Sequence, residues 1–133
     1  MTARMKVGLF GFGLATALAL ALPASAEDYG PFKEAQTSAG EVLVDAKGMT
    51  LYTFDKDMAG KSACNGPCAK NWPPLLVADG AKASGDWSTV TRDDGLKQWA
   101  YKGKPLYAWV KDTKPGDTTG DGFLNGAWHI ARP

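Results

Sequence analysis

A chain of 133 residues with 15 Lys and Arg against 14 Asp and Glu carries a formal net charge of +1 at pH 7. Its cations are scattered rather than bunched, which argues against nucleic acid and anionic membrane as partners, since both need a clustered basic face. The length allows one domain with a modest core and is too short for two ordinary domains once an export leader is set aside.

That leader is read over residues 1–26. Arg4 and Lys6 precede the apolar run VGLFGFGLATALALAL, and Ala24, Ser25 and Ala26 form an A-x-A-like cleavage site. The run is short and rich in small residues, and no cysteine near the cleavage site offers a lipid anchor. A periplasmic or secreted domain without a membrane anchor is expected. The leader takes two basic residues and no acidic one, leaving 13 against 14 over 107 residues, twelve of them aromatic.

Residues 27–40 mix Gly, Pro and polar side chains without a sustained period, and predict a loose leader into a single β domain over 41–133. EVLVDAKGMTLYTF then predicts a hairpin turning at Gly48. PCAKNW is suited to a single helical turn. STVTRDDGLKQWAY predicts a hairpin turning at Asp93, Asp94 and Gly95, and QWAYKGKPLYAWV another turning at Gly103. GAWHIAR supplies a last strand. No segment of this region has a long helical period, so the class is all-β.

The strongest organisation is a duplication. Tyr52, Phe54 and Asp57 of LYTFDKD correspond to Tyr107, Trp109 and Asp112 of LYAWVKD. Each copy has a leucine before its tyrosine and a turn glycine four residues before it. Each then reaches a tryptophan, Trp72 or Trp128, after loops that differ by one residue. Two copies, about 42–76 and 97–131, are too few for a solenoid and predict one pseudo-symmetric domain of two hairpin units with long loops. Strand alternation puts Tyr52 with Phe54, and Tyr107 with Trp109, on one face. The aspartates sit beyond the strands, where a carboxylate can accept bonds from loop N–H groups or a tyrosine hydroxyl.

At these residues the chain resembles a family of bacterial secreted repeats and predicted lipoproteins marked by a Y-x-[FWY]-x-x-D motif, which YTFDKD and YAWVKD both fit. The resemblance implies export and tandem repeats, and no activity.

Candidate chemistry is sparse. Cys64 and Cys68 are the only cysteines, and in an oxidising compartment an even count favours a disulfide that staples CNGPC. The competing reading is an envelope copper-handling or thiol-redox protein, with Cys64 and Cys68 joined by His129, the sole histidine, and by Met58. In KDTKPGDTTGDG, Asp112, Asp117 and Asp121 offer oxygens to calcium, without the D-x-D-x-D-G spacing of a calcium loop. Catalysis would need His129 beside Ser62 or Ser88, or acid/base work from the adjacent Asp93 and Asp94, and no motif marks either. The expectation is therefore a binding or interaction module for an envelope protein or small ligand, not an enzyme and with no required cofactor.

Overall fold

The computed structural model describes residues 32–133, so the export leader falls outside the described residues. Phe32–Thr37 (β1) and Gly40–Asp45 (β2) form an antiparallel pair, with Phe32 opposite Asp45. Tyr52–Phe54 (β3) follows, then the one-turn helix Pro67–Asn71 (α1). Trp87–Thr91 (β4), Lys97–Tyr101 (β5) and Lys104–Pro105 (β6) make a three-stranded antiparallel sheet. The short turn Phe123–Gly126 (α2) leads into Trp128–Ile130 (β7), which pairs with β3. The all-β expectation holds, with small antiparallel sheets and two short helical turns.

Local chemistry explains the turns. Lys102 and Gly103, at φ 51° and 84°, form the two-residue link between β5 and β6 that matches strand twist. The RDDG turn closes with the Arg92 N–H donating to the Leu96 carbonyl, while the Asp94 side chain accepts the Leu96 N–H. α1 forms where expected, with proline at its start.

The loose leader expected over 27–40 is corrected for residues 32–40. Phe32 is buried against Trp87 and Trp99, and this packing fastens β1 to the domain. The repeat boundaries at 42 and 97 are corrected with it. β1 with β2, and β4 with β5, are equivalent hairpins, so each unit begins about ten residues earlier than its motif suggests. The composition of β1 hides this, because its two apolar residues, Phe32 and Ala35, fall on opposite faces among polar side chains and show no alternation.

The hairpin expected over EVLVDAKGMTLYTF forms only in part. Val44 bridges Thr50, and the Leu51 N–H donates to the Leu43 carbonyl, but Tyr52–Phe54 leaves its own hairpin to pair with Trp128–Ile130 from the second unit. The mirror arrangement occurs in the other half. There Pro74 bridges Tyr107, and the Ala108 N–H donates to the Pro73 carbonyl. Two consecutive prolines lack the N–H groups that would extend this ladder.

The exchange continues one step further. The Ala131 N–H donates to Leu51, and the Leu43 N–H to Ala131, at 2.8 and 2.9 Å. Correspondingly, the Leu75 N–H donates to Leu106, and the Trp99 N–H to Leu75, at 3.0 and 2.8 Å. Each unit's closing segment thus completes the sheet of the other unit. At the centre Tyr52 and Tyr107 exchange both backbone hydrogen bonds, at 2.8 and 2.9 Å, so the two motif strands meet each other.

Two apolar cores lie on opposite sides of these strands. One gathers Phe32, Leu43, Leu51, Trp99, Leu106 and Ala131. The other holds Val42, Val44, Tyr52, Tyr107, Ile130 and an aromatic stack. In that stack Trp72 and Trp128 lie face to face at 3.7 Å and 3°, with Trp109 on the far side of Trp72 and Phe54 on the far side of Trp128. Tyr52 meets Trp72 edge-on and Tyr107 meets Trp128 the same way. Gly120 lies against this stack, where an added Cβ would come within 2.7 Å of the Trp72 ring.

Candidate functional site

The motif residues are drawn inward. The Tyr52 hydroxyl donates to Asp112 Oδ2 at 2.6 Å, and the Tyr107 hydroxyl to Asp57 Oδ2 at 2.7 Å. Each repeat's tyrosine is therefore held by the other repeat's aspartate. The remaining carboxylate oxygens order the loops beyond the strands. Asp57 Oδ1 accepts the Ala63 N–H, and Asp112 Oδ1 accepts the Thr119 N–H and hydroxyl. The extra residue of the second repeat thus falls between Asp112 and Thr119.

Burial of these groups shifts their protonation. The Tyr52 hydroxyl is raised well above its ordinary range, first by burial and then by the Asp112 carboxylate. Tyr107 is raised by burial and by Asp57, against a lowering from Ser62. Asp57 is also raised by burial, with the Ala63 N–H and the Tyr107 hydroxyl pulling it back down. Raised tyrosines contribute stability that is fully present below the unfolded value near 10 and is lost as pH rises through the folded value. An ultraviolet titration at 295 nm should therefore withhold two tyrosines from ionisation until the chain unfolds in alkali. The Tyr52→Phe, Tyr107→Phe double variant should lose that delayed step; two freely titrating tyrosines in the folded wild type would contradict the burial.

Next to Tyr107 lies a buried polar network that the sequence reading did not find. Arg92 Nη1 donates to Ser62 Oγ at 3.0 Å and to Gln98 Oε1 at 2.9 Å, and Nη2 donates to the Cys64 carbonyl at 2.8 Å. Ser62 Oγ in turn stands 2.6 Å from the Tyr107 hydroxyl. The Arg92 side chain is fully buried, and it forms an ion pair with Asp94, which is half exposed. Strand alternation was the available signal, because Arg92 follows Val90 on the inward face of β4 and its extension. Ser62 links Arg92 to Tyr107, whereas His129, beside which it would have to stand as a nucleophile, pairs with Asp55.

The remaining candidates fall in different places. Cys64 and Cys68 are joined in a disulfide, with Cα atoms 5.2 Å apart. It closes a short loop, worth roughly 2 kcal/mol by chain entropy, and secures the carbonyl that Arg92 binds. Its counterpart in the second repeat is α2, where Leu124 and Asn125 both take φ 58° and Phe123 packs on Trp109.

His129 lies opposite Thr53 across β3 and β7, and its Nε2 is 2.8 Å from Asp55 Oδ2 on an exposed face. Among the described residues no three His, Cys, Asp or Glu side chains group as a metal site. The set Cys64, Cys68 and His129 is therefore not brought together. Asp112 is occupied by Tyr52 and Thr119, Asp117 by Thr113 and Lys114, and Asp121 by the Ile130 N–H. The Thr113 N–H and the Lys114 ammonium hold Asp117 down at about 2. Asp93 and Asp94 point to different partners, Lys61 and Arg92.

What faces outward is the solvent side of β3 and β7. Thr53, Asp55 and His129 share it with Tyr101, Lys102 and Lys104 around a groove of about 260 Å³. A second hollow of about 270 Å³ adjoins it, and Thr53, Asp55, Lys102 and Lys104 line both. In the other half of the molecule the positions equivalent to His129, Asp55 and Thr53 are Pro73, Val110 and Ala108. The shared framework therefore does not require the polar groups of this face.

A family model described as a secreted repeat of unknown function matches residues 33–76 and again residues 88–132. No curated protein and no solved structure matches the chain.

Proposed function

Since the chain belongs to that family of secreted repeats of unknown function, we propose that it is an exported binding module of the cell envelope, working without a catalytic centre. Its contact surface is the outer face of β3 and β7, and its ligand presents an anionic group to Lys102 and Lys104. The observation that carries this reading is the division of polar residues between inside and outside. The motif tyrosines and aspartates are consumed in holding the repeats together. Two adjoining hollows outside share Thr53, Asp55, Lys102 and Lys104.

The charge balance supports an anion. Among the described residues neither lysine has an ion-pair partner, whereas Asp55 is already bonded to His129. Lys102 is held over the Tyr101 ring, 5.2 Å from its centroid, which positions its ammonium beside the groove. Two lysines suit a single carboxylate or phosphate group rather than a polyanion, in keeping with the scattered cations of the chain.

Titration of the domain over residues 27–133 with a capped hexapeptide carrying a single glutamate, followed by amide NMR, should move Thr53, Lys102, Lys104 and His129. The Lys102→Glu, Lys104→Glu variant should abolish the response, and salt should weaken it. Shifts confined to another face, no response at millimolar peptide, or turnover of a substrate in an activity screen would overturn the reading.

A further inference from the structure

The seam between the repeats has a consequence for association that does not depend on the ligand reading. Neither repeat closes its own sheet. Residues 72–75 complete β5 and the second motif strand, and residues 128–131 complete β2 and the first. The tyrosine–aspartate bonds and the tryptophan pair cross the same seam. All of these contacts link one repeat to the other, and covalent continuity between the repeats runs only through the linker at 78–86. Every residue of that linker is exposed, and it coincides with the gap between the two family matches.

We propose that this seam is also an association surface for a second copy of the chain, on which two copies exchange repeats to form a dimer with the contacts of the monomer. The first repeat of one copy accepts the second repeat of its partner, and the reverse, so two complete domains form. Nothing across the seam is lost or gained, and the balance rests on the linker. A short flexible linker holds the repeats at an effective concentration on the order of millimolar. Closure within one chain therefore prevails at ordinary concentrations.

The linker's reach sets the switch. Val77 bonds to Lys97 on one edge of β5, and Trp87 lies opposite Tyr101 on the other edge. Strand rise and spacing put these ends roughly 16 Å apart. The native connection can span about twice that distance, but a chain lacking residues 79–85 has only three Cα–Cα steps, about 11 Å. It cannot close on itself and retains every residue of the seam.

The test compares the wild-type chain with the 79–85 deletion by light scattering. The deletion should give twice the monomer mass throughout the micromolar range, with the wild-type circular dichroism spectrum. A folded monomer, or a chain that does not fold at any concentration, overturns the proposal. The full-length chain offers an independent arm. Unfolded with its disulfide intact and refolded at about 1 mM, it should trap a dimer that is absent after refolding at about 1 μM. Failure to form that dimer also overturns it. Exchange is separated from surface adhesion by Thr53→Cys with His129→Cys, placed opposite each other on β3 and β7. In the dimer these cysteines should join two chains covalently; a link within one chain rejects exchange.

Discussion

Replacing Trp128 with alanine should destabilise the domain by about 3–5 kcal/mol, the range for truncating a large buried aromatic, and Trp72→Ala should cost a comparable amount. Trp128 is almost fully buried and meets three rings: Trp72 and Phe54 on its two faces and Tyr107 at its edge. Truncation removes the transfer free energy of the indole and leaves a void between Trp72 and Phe54. Those rings sit on elements pinned by separate hydrogen bonds, so the void cannot readily collapse. Because the stack alternates between repeats, either loss weakens both halves at once. Urea unfolding should therefore show a single transition in the wild type and in each variant, with a lower midpoint in the variants and little change in slope. A variant that unfolds in two steps, or a cost below about 1 kcal/mol, would mean that the repeats are independent units and that the stack is not their common core.

The second large effect should come from Asp112→Ala, at about 3 kcal/mol. Its carboxylate is nearly buried and accepts bonds from the Tyr52 hydroxyl and from the N–H and hydroxyl of Thr119. Removing it strands donors in the interior, each costing about 1–3 kcal/mol when left unpaired. Tyr52→Phe leaves the carboxylate its Thr119 partners but also strands the Gly120 N–H that the hydroxyl accepts, so its cost should be comparable, about 1.5–3 kcal/mol. A double-mutant cycle between Tyr52→Phe and Asp112→Ala should show strong coupling. The same cycle between Tyr52→Phe and Asp57→Ala should show little, since Asp57 belongs to Tyr107. This contrast tests the crossed pairing directly. Coupling of Tyr52 to the aspartate of its own motif would refute it.

That crossing also explains why the motif has its spacing. Tyrosine and the second aromatic must share a strand face, which requires a separation of two. The aspartate must leave the strand and turn back toward the seam, which takes three further residues. Within one copy the spacing looks like a local device, with the carboxylate available to the tyrosine of the same motif. The partner lies 60 residues away for Tyr52 and 50 for Tyr107.

Much of the candidate site was hidden for a similar reason. His129 and Asp55 are 74 residues apart in sequence and become neighbours only because β7 pairs with β3. Lys102 and Lys104 read as ordinary turn residues of the KGK hairpin until that turn is placed beside the same face. Arg92 reads as the first residue of a polar turn, and only its inward register shows that it supports Ser62, Gln98 and the cysteine loop.

The sequence by itself determined the β class, the turns at Gly48, Gly95 and Gly103, the duplication, and the pairing of the only two cysteines. These follow from short-range rules: alternation with period two, glycine where φ is positive, and similarity between nearby segments. Tertiary structure alone decided that the copies are interlocked, that β1 and β4 belong to them, and that each tyrosine serves the opposite aspartate. A strand's unpaired edge carries the same donors and acceptors whichever partner fills it. Which segment fills it depends on the packing of Trp72 against Trp128, a contact between residues 56 positions apart in the chain.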